Sequence, residues 1–293
     1  MNYITILIQS VIQGLTEFLP VSSSGHLSVA QHFMEVGEAG ISLSIFLHMG
    51  TLLAVIIAFR EAVWGMFREF FLTIADIFTL KFSWKDCNDD RRMLFMVIVG
   101  TILLIPIILV KDFFTAPMSD GDIIFEGGAF IFTATLLFMA DSCVKGIKSP
   151  KEMQLKDALI VGFFQIIALF PGVSRSGSTI SAGLFCGLSR KTAVTFSFML
   201  GIPAILGASI LEIRELSESG GAGLSALTQD YNPLALAMGF VVAMLVGLFA
   251  IKLVKLLIKR EKFKIFAIYT LTIGILCVIW GVFENITGTV IRI

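Results

Sequence analysis

Charge is scarce in this chain. Only 15% of its 293 residues are Asp, Glu, Lys or Arg, against about 25% in a soluble globular domain, so the sequence cannot cover a surface that faces water on all sides. Cysteine forms no framework: Cys87, Cys143, Cys186 and Cys277 are scattered without a CxxC pair, which supports neither a zinc site nor a disulfide scaffold. The net charge is zero, so no overall field points to nucleic acid as a partner. The opening MNYITILIQS lacks the positive cluster of a signal peptide, and its retention is expected. No P-loop, HExxH or nucleophile-elbow motif occurs. What the sequence has instead is apolar surface. Hydrophobic residues make up 56% of the chain, 27 of them Phe, and the mean hydropathy is +0.91. Such a composition belongs in lipid.

Six segments are long and apolar enough to cross a hydrocarbon core of about 30 Å. They run over 41–59, 93–110, 123–142, 192–213, 233–257 and 264–284. Two further apolar stretches, 3–19 and 155–170, each lead into a serine-rich turn, and short helical stretches follow at 26–36 and 178–188. Each pair is too short for two full spans. A re-entrant hairpin with its polar turn buried in protein fits better.

Loop charge supports this count. Loop 60–92 carries Arg60, Arg68, Lys81, Lys85, Arg91 and Arg92, whereas loop 111–122 has only Lys111. Loop 143–157 has Lys145, Lys148, Lys151 and Lys156, and the links with Arg190 and Lys191 and with Lys259, Arg260, Lys262 and Lys264 are also basic. Loop 214–232 has only Arg214, and the tail only Arg292. With six spans and two hairpins, basic and non-basic loops alternate strictly, which puts both termini on the external side. Within 60–92, Trp64, Phe67, Phe70 and Phe71 suggest an amphipathic interfacial helix. The Gly/Ser-rich 214–232 is expected as an external loop.

The two turns are copies of one another. QGLTEFLPVSSSG at 13–25 aligns without a gap to QIIALFPGVSRSG at 165–177, at an offset of 152 residues. Three spans lie between the hairpins, so they enter from opposite sides and their turns can meet near the midplane. The expectation is one membrane domain of two inverted repeats, roughly 1–150 and 151–293. The fold class is an all-α polytopic membrane protein with six transmembrane helices and two re-entrant hairpins.

The copies differ where chemistry would reside. Gln13 and Glu17 are four apart on a helix and share a face. A carboxylate at membrane depth is costly and marks function, although Glu17 could instead be a structural partner of Arg175 or of loop amides. Pro20 is expected to end the incoming helix. Ser22, Ser23 and Ser24 offer hydroxyls and a cap, Gly25 permits close backbone approach, and a helix N-terminus of this kind binds phosphate. His26 is a candidate general acid–base or nucleophile. In the second copy Ser174, Ser176, Gly177 and Thr179 surround Arg175, whose guanidinium grips phosphate bidentately. His48 and Asp141 are further polar residues in spans, and Asp141 is expected to be solvated at its span end. Gly50 aligns with Gly201.

These motifs resemble the undecaprenyl-pyrophosphate phosphatases, the bacitracin-resistance type of integral membrane phosphatase. The resemblance is carried by QGLTEFLPVSSSGH at 13–26 and PGVSRSGST at 171–179, with HMGTLLA at 48–54 and FSFMLGIPAI at 196–205. It implies hydrolysis of undecaprenyl pyrophosphate to undecaprenyl phosphate, recycling the cell-wall lipid carrier at the external face of the bacterial inner membrane. The family's (E/Q)xxxE motif falls on Gln13 and Glu17, so this chain has one carboxylate where some members have two. The family's serine, histidine and arginine match Ser23, His26, Ser174 and Arg175. Glu17 would orient the nucleophile or hold a divalent cation, Mg2+ or Ca2+, and the nucleophile is Ser23, His26 or water. No organic cofactor is expected, and a homodimer is the candidate assembly. The alternative is a lipid-phosphate flippase, a secondary transporter using the same anion site for binding alone.

Overall fold

The apolar runs fold as helices. In the computed structural model, residues 3–34, 41–110, 113–114, 123–143, 145–218, 232–259 and 262–288 are described, and among them the only extended pairing is one isolated bridge, Lys148 with Leu188. Eleven α-helices form there: α1 Tyr3–Thr16, α2 Ser23–Met34, α3 Ile41–Ala58, α4 Arg60–Phe78, α5 Asp89–Ile102, α6 Ile124–Ser142, α7 Leu155–Ile167, α8 Arg175–Phe185, α9 Arg190–Glu218, α10 Pro233–Lys259 and α11 Lys264–Thr287. Four of them, α6, α9, α10 and α11, are long and apolar enough to cross a membrane. The protein is therefore a polytopic membrane protein. Most of loop 214–232 lies outside the described residues.

Local chemistry sets the helix ends. Asn88 caps α5 by accepting the Arg91 N–H at 2.8 Å, and Asp89 and Asp90 face the helix dipole in the first turn. Gly288 ends α11 in the left-handed conformation at φ 64°.

One element departs from the sequence reading. The expected continuous span 93–110 is broken: α5 ends at Ile102, and a separate 3₁₀ segment runs Pro106–Val110. Pro106 lacks an N–H and biases Ile105 away from the α region, so the helix cannot carry through. At about 1.5 Å per residue, fourteen residues reach only about 21 Å. Inside loop 60–92 the expected amphipathic helix is present as α4, which turns 86° away from α3. Its aromatic row is exposed, with Trp64 at 67% and Phe71 at 54%, as an interfacial helix requires.

Packing is close where side chains are small. α6 lies along α11 and α10 lies against α3 and α1. A Cβ placed on Gly127 of α6 would sit 2.9 Å from the Gly274 carbonyl oxygen of α11, and one on Gly274 would sit 2.8 Å from the Gly127 oxygen. Only glycine on both helices permits that approach. Large apolar side chains close the remaining core, with Phe18 edge-on to Phe198 at 5.6 Å and Phe130, Phe196 and Phe263 buried. Outward faces such as Leu155, Leu159 and Phe163 of α7 stay apolar and exposed.

Candidate active site

Helices α1 and α2 form one hairpin and α7 and α8 another, and their turns touch. The Gly172 N–H donates to Ser24 Oγ at 3.2 Å, and Ser176 Oγ donates to the Leu19 carbonyl at 3.1 Å. Since Ser24 aligns with Ser176, the two bonds come from matching positions of the repeated motif. Each turn also caps its outgoing helix in the same way. Ser22 Oγ accepts from the Gly25 N–H at 3.3 Å and Ser174 Oγ from the Gly177 N–H at 3.0 Å. The backbone solutions differ. Ser22 is held at φ 73°, whereas in the second copy Gly172 takes the left-handed conformation at φ 81°. A non-glycine residue there is strained by about 1–3 kcal/mol and clusters at functional sites. Gly25 is fixed by contact: a Cβ would lie 2.7 Å from the Phe130 ring and 3.0 Å from Gly172 Cα.

The helices begin earlier than the sequence suggested. α2 starts at Ser23 and α8 at Arg175, so Arg175, Ser176 and Gly177 are first-turn residues rather than part of an extended loop. Ser174, the cap, makes this possible. α1 in turn stops at Thr16, four residues before Pro20, and not at the proline itself. Glu17 follows directly, with its N–H still bonded to the Gln13 carbonyl at 3.0 Å.

Glu17 is the centre of the junction. Only 7% exposed, it accepts from Ser23 Oγ at 2.7 Å and Gln13 Nε2 at 3.0 Å on one oxygen, and from Arg175 Nη2 at 2.5 Å on the other. A buried charge needs such partners. The residues come from helices 158 positions apart, and the structure brings together Gln13, Glu17, Ser23 and Arg175 as the sequence reading required. Arg175 keeps a second nitrogen in reserve, because Nη1 is buried without a hydrogen-bond partner. That nitrogen lies against α9, where a Cβ on Gly201 would come within 2.5 Å.

His26 stands apart from this cluster. Its Nδ1 bonds the Ser22 carbonyl at 2.7 Å, which places the proton on Nδ1, and its Nε2 accepts from the Tyr269 hydroxyl at 2.8 Å. The ring stacks on Tyr269 at 5.7 Å and meets Phe130 edge-on at 5.0 Å. No direct hydrogen bond joins His26 to Glu17, Ser23 or Arg175. Thr179 also points elsewhere, bonding Ser197 of α9 at 2.6 Å and the Arg175 carbonyl at 2.8 Å. Ser24 is exposed, whereas Ser22, Ser174 and Ser176 are buried.

Several supporting residues escaped the sequence reading. Tyr269 is one of only three tyrosines, a polar aromatic in an apolar run, and that rarity was its signal. Thr133 of α6 accepts the Ser174 N–H at 3.1 Å. Glu126 and Glu284, acids within the membrane helices, receive Ser28 at 2.6 Å and His32 at 2.8 Å and thereby hold α2. His48 bonds the carbonyl of Ser44, whose hydroxyl reaches Glu212 at 3.2 Å. Asp141, expected to be solvated, instead pairs with Arg190 at 3.5 Å.

Comparison with known proteins agrees with the motifs. The family model described as bacitracin resistance protein BacA matches residues 6–276. The chain is 40% identical over 273 residues to an undecaprenyl-diphosphatase of Alkaliphilus metalliredigens, covering 92% of this chain and 96% of that relative. It is 36% identical over 280 residues to an undecaprenyl-diphosphatase of Methanobrevibacter smithii, and 38% identical over 277 residues to undecaprenyl-diphosphatase 3 of Bacillus cereus, each match covering 94% of this chain and 96% of the relative. A match running through both hairpins, and through the helices that hold them together, settles the kinship: the chain belongs to the bacitracin resistance protein BacA family.

Proposed function

We propose that the chain hydrolyses undecaprenyl pyrophosphate to undecaprenyl phosphate and phosphate at the junction of the two hairpins. The observation that carries this is Glu17, whose carboxylate holds a hydroxyl from one hairpin and a guanidinium from the other. The relatives named above are called diphosphatases and none of those names describes transport, so the flippase reading gains no support. The test is phosphate release from undecaprenyl pyrophosphate by purified protein in detergent, where transport cannot occur. Release at catalytic rates is expected. Binding without release would overturn the proposal.

The geometry favours Ser23 as the nucleophile. Its hydroxyl already donates to Glu17 at 2.7 Å, within reach of a general base. Glu17 takes the Ser23 proton as Oγ bonds to the terminal phosphorus. The bond from phosphorus to the bridging oxygen breaks, and undecaprenyl phosphate leaves with the electron pair and then the Glu17 proton. Ionised again, Glu17 draws a proton from water. The hydroxide attacks the phosphoserine, releasing phosphate, and Glu17 returns the proton to Ser23. Arg175 Nη1, buried without a partner, would donate to the phosphoryl oxygens as their charge grows. His26 would have to surrender its bond to Tyr269 or to Ser22 before attacking, which places it second.

A divalent cation fits this site in part. Glu17 is the one carboxylate at the junction, and no group of three or more His, Cys, Asp or Glu gathers for a metal among the described residues. The remaining donors are oxygens, including Gln13 Oε1, buried without a partner, and oxygen suits Mg2+ or Ca2+. Pyrophosphate oxygens would complete such a site, and a bound ion would neutralise phosphoryl charge.

We read the architecture as two inverted repeats in the bacterial inner membrane, both termini external. The packing supports a two-fold relation: α1 lies on α10 as α7 lies on α5, α3 lies on α10 as α9 lies on α5, and α3–α9 and α6–α11 pair across the axis. The reciprocal Gly127–Gly274 contact joins a helix of one half to a helix of the other. α6 departs from the symmetry by touching both α2 and α8.

A further inference from the structure

Away from the hairpins, the segment before α5 and the segment before α7 enclose an open cavity of about 500 Å³, lined among others by Trp84, Arg92, Lys151, Glu152 and Leu155. Its charges are unevenly committed. Arg91 pairs with Glu69 and with Asp76, both at 2.7 Å. Arg92, the next residue, has no carboxylate partner among the described residues. Its guanidinium lies over the Trp84 ring at 4.1 Å, and its Nε is buried without a hydrogen bond. The Lys151 side chain has no ion-pair partner there either. The two nearby carboxylates face backbone instead: Glu152 accepts from the Ser149 N–H at 2.7 Å and its hydroxyl at 2.8 Å, and Asp89 accepts from the Lys151 N–H at 3.0 Å. Among the described residues the cavity thus presents two cations without ion-pair partners, against the one carboxylate of Glu152.

Its surroundings are lipid-like. Leu155 on the rim begins an exposed stripe of α7 that continues one and two turns on at Leu159 and Phe163, at 49%, 44% and 57% exposure. The helix α5, which packs on α7, also exposes Ile98 and Ile102. A cationic recess opening onto an apolar track matches a headgroup phosphate with its acyl chains. We propose that this cavity binds an anionic phospholipid, its phosphodiester on Arg92 and Lys151 and a chain along the Leu155–Leu159–Phe163 stripe. The ligand is a resident membrane lipid, and the site is separate from the Glu17–Arg175 junction.

Native mass spectrometry of the purified full chain, titrated with phosphatidylglycerol or phosphatidylcholine, tests this. Preferential retention of phosphatidylglycerol is expected, with Arg92→Gln plus Lys151→Gln weakening it by about tenfold or more. Lys151→Gln alone, at an exposed side chain, should give a smaller loss and serves if the double variant fails to fold. Lys252→Gln, an exposed cation elsewhere, should change nothing. Equal retention of phosphatidylcholine, or unchanged binding in both Lys151 variants, would overturn the site. Competition by inorganic phosphate or glycerol 3-phosphate at millimolar concentration would overturn the lipid as its occupant and leave a free-anion site.

Discussion

Replacing Gly201 by alanine tests the guanidinium geometry without touching any chemical group. The added methyl would lie 2.5 Å from Arg175 Nη1 and 3.2 Å from Cζ. Ordinary carbon–heavy-atom contact begins near 3.5 Å, so the guanidinium must retreat by about 1 Å. A flexible arginine tip can do so at little cost to the fold. Alanine moreover favours a helix interior over glycine by about 1 kcal/mol, so the thermal midpoint should hold or rise. Catalysis has no such latitude. A displacement of about 1 Å in a positioning group costs on the order of 10²-fold, and we expect phosphate release in detergent to fall by about that factor. Gly207→Ala is the control, because it lies on the same helix and a Cβ there meets nothing within 4 Å. Turnover in Gly201→Ala within about threefold of wild type, at equal stability, would refute the role given to Nη1.

Further outcomes follow from the same contacts. Glu17→Gln keeps the shape and loses the base, so phosphate release should drop by at least about 10³-fold while the lipid still binds; retained turnover would remove Glu17 from the chemistry. Gln13→Glu sets a second carboxylate about 3.0 Å from the first and should deepen dependence on added Mg2+ or Ca2+, read as the rate with and without chelator. Ser23→Ala should fall to background, while His26→Asn and Tyr269→Phe keep a measurable fraction; the reverse order would make His26 the nucleophile. For orientation, in a protein lacking its own cysteines, Lys85→Cys should resist an impermeant thiol reagent in intact cells and Asn285→Cys should label. Cys87 itself cannot report, since at 1% exposure it is hidden on either side.

The sequence made some of this legible and not the rest, for physical reasons. α3, α6, α9, α10 and α11 were readable to within a few residues because hydropathy follows from composition alone. The broken segment after Ile102 was not, because an apolar window is blind to one proline that withdraws a backbone donor. The duplicated motif disclosed Gln13, Glu17, Ser23 and Arg175, and the asymmetry of Glu17 against Leu169 and Arg175 against Ser23 marked opposite charges at one junction. It offered the Glu17–Arg175 pair only as one alternative and did not disclose that Arg175 would spend a single nitrogen on it, since that geometry joins two helix termini that only packing brings together. Tyr269 lies outside the motif altogether and was visible only as a rare residue type.

The Glu17–Arg175 pair also bears on how the protein is made. When the first hairpin leaves the ribosome its carboxylate has no cation, because the partner is 158 residues further along the chain. On the re-entrant reading proposed above, a lone carboxylate at membrane depth is costly, and the first hairpin would wait near the headgroups until α8 has been synthesised. The second hairpin would then draw the first to its final depth. Biosynthetic order and assembly of the proposed site would in this way be one event: a chain truncated before residue 175 would hold a hairpin without its partner cation, and phosphatase activity would report on completed insertion of both hairpins.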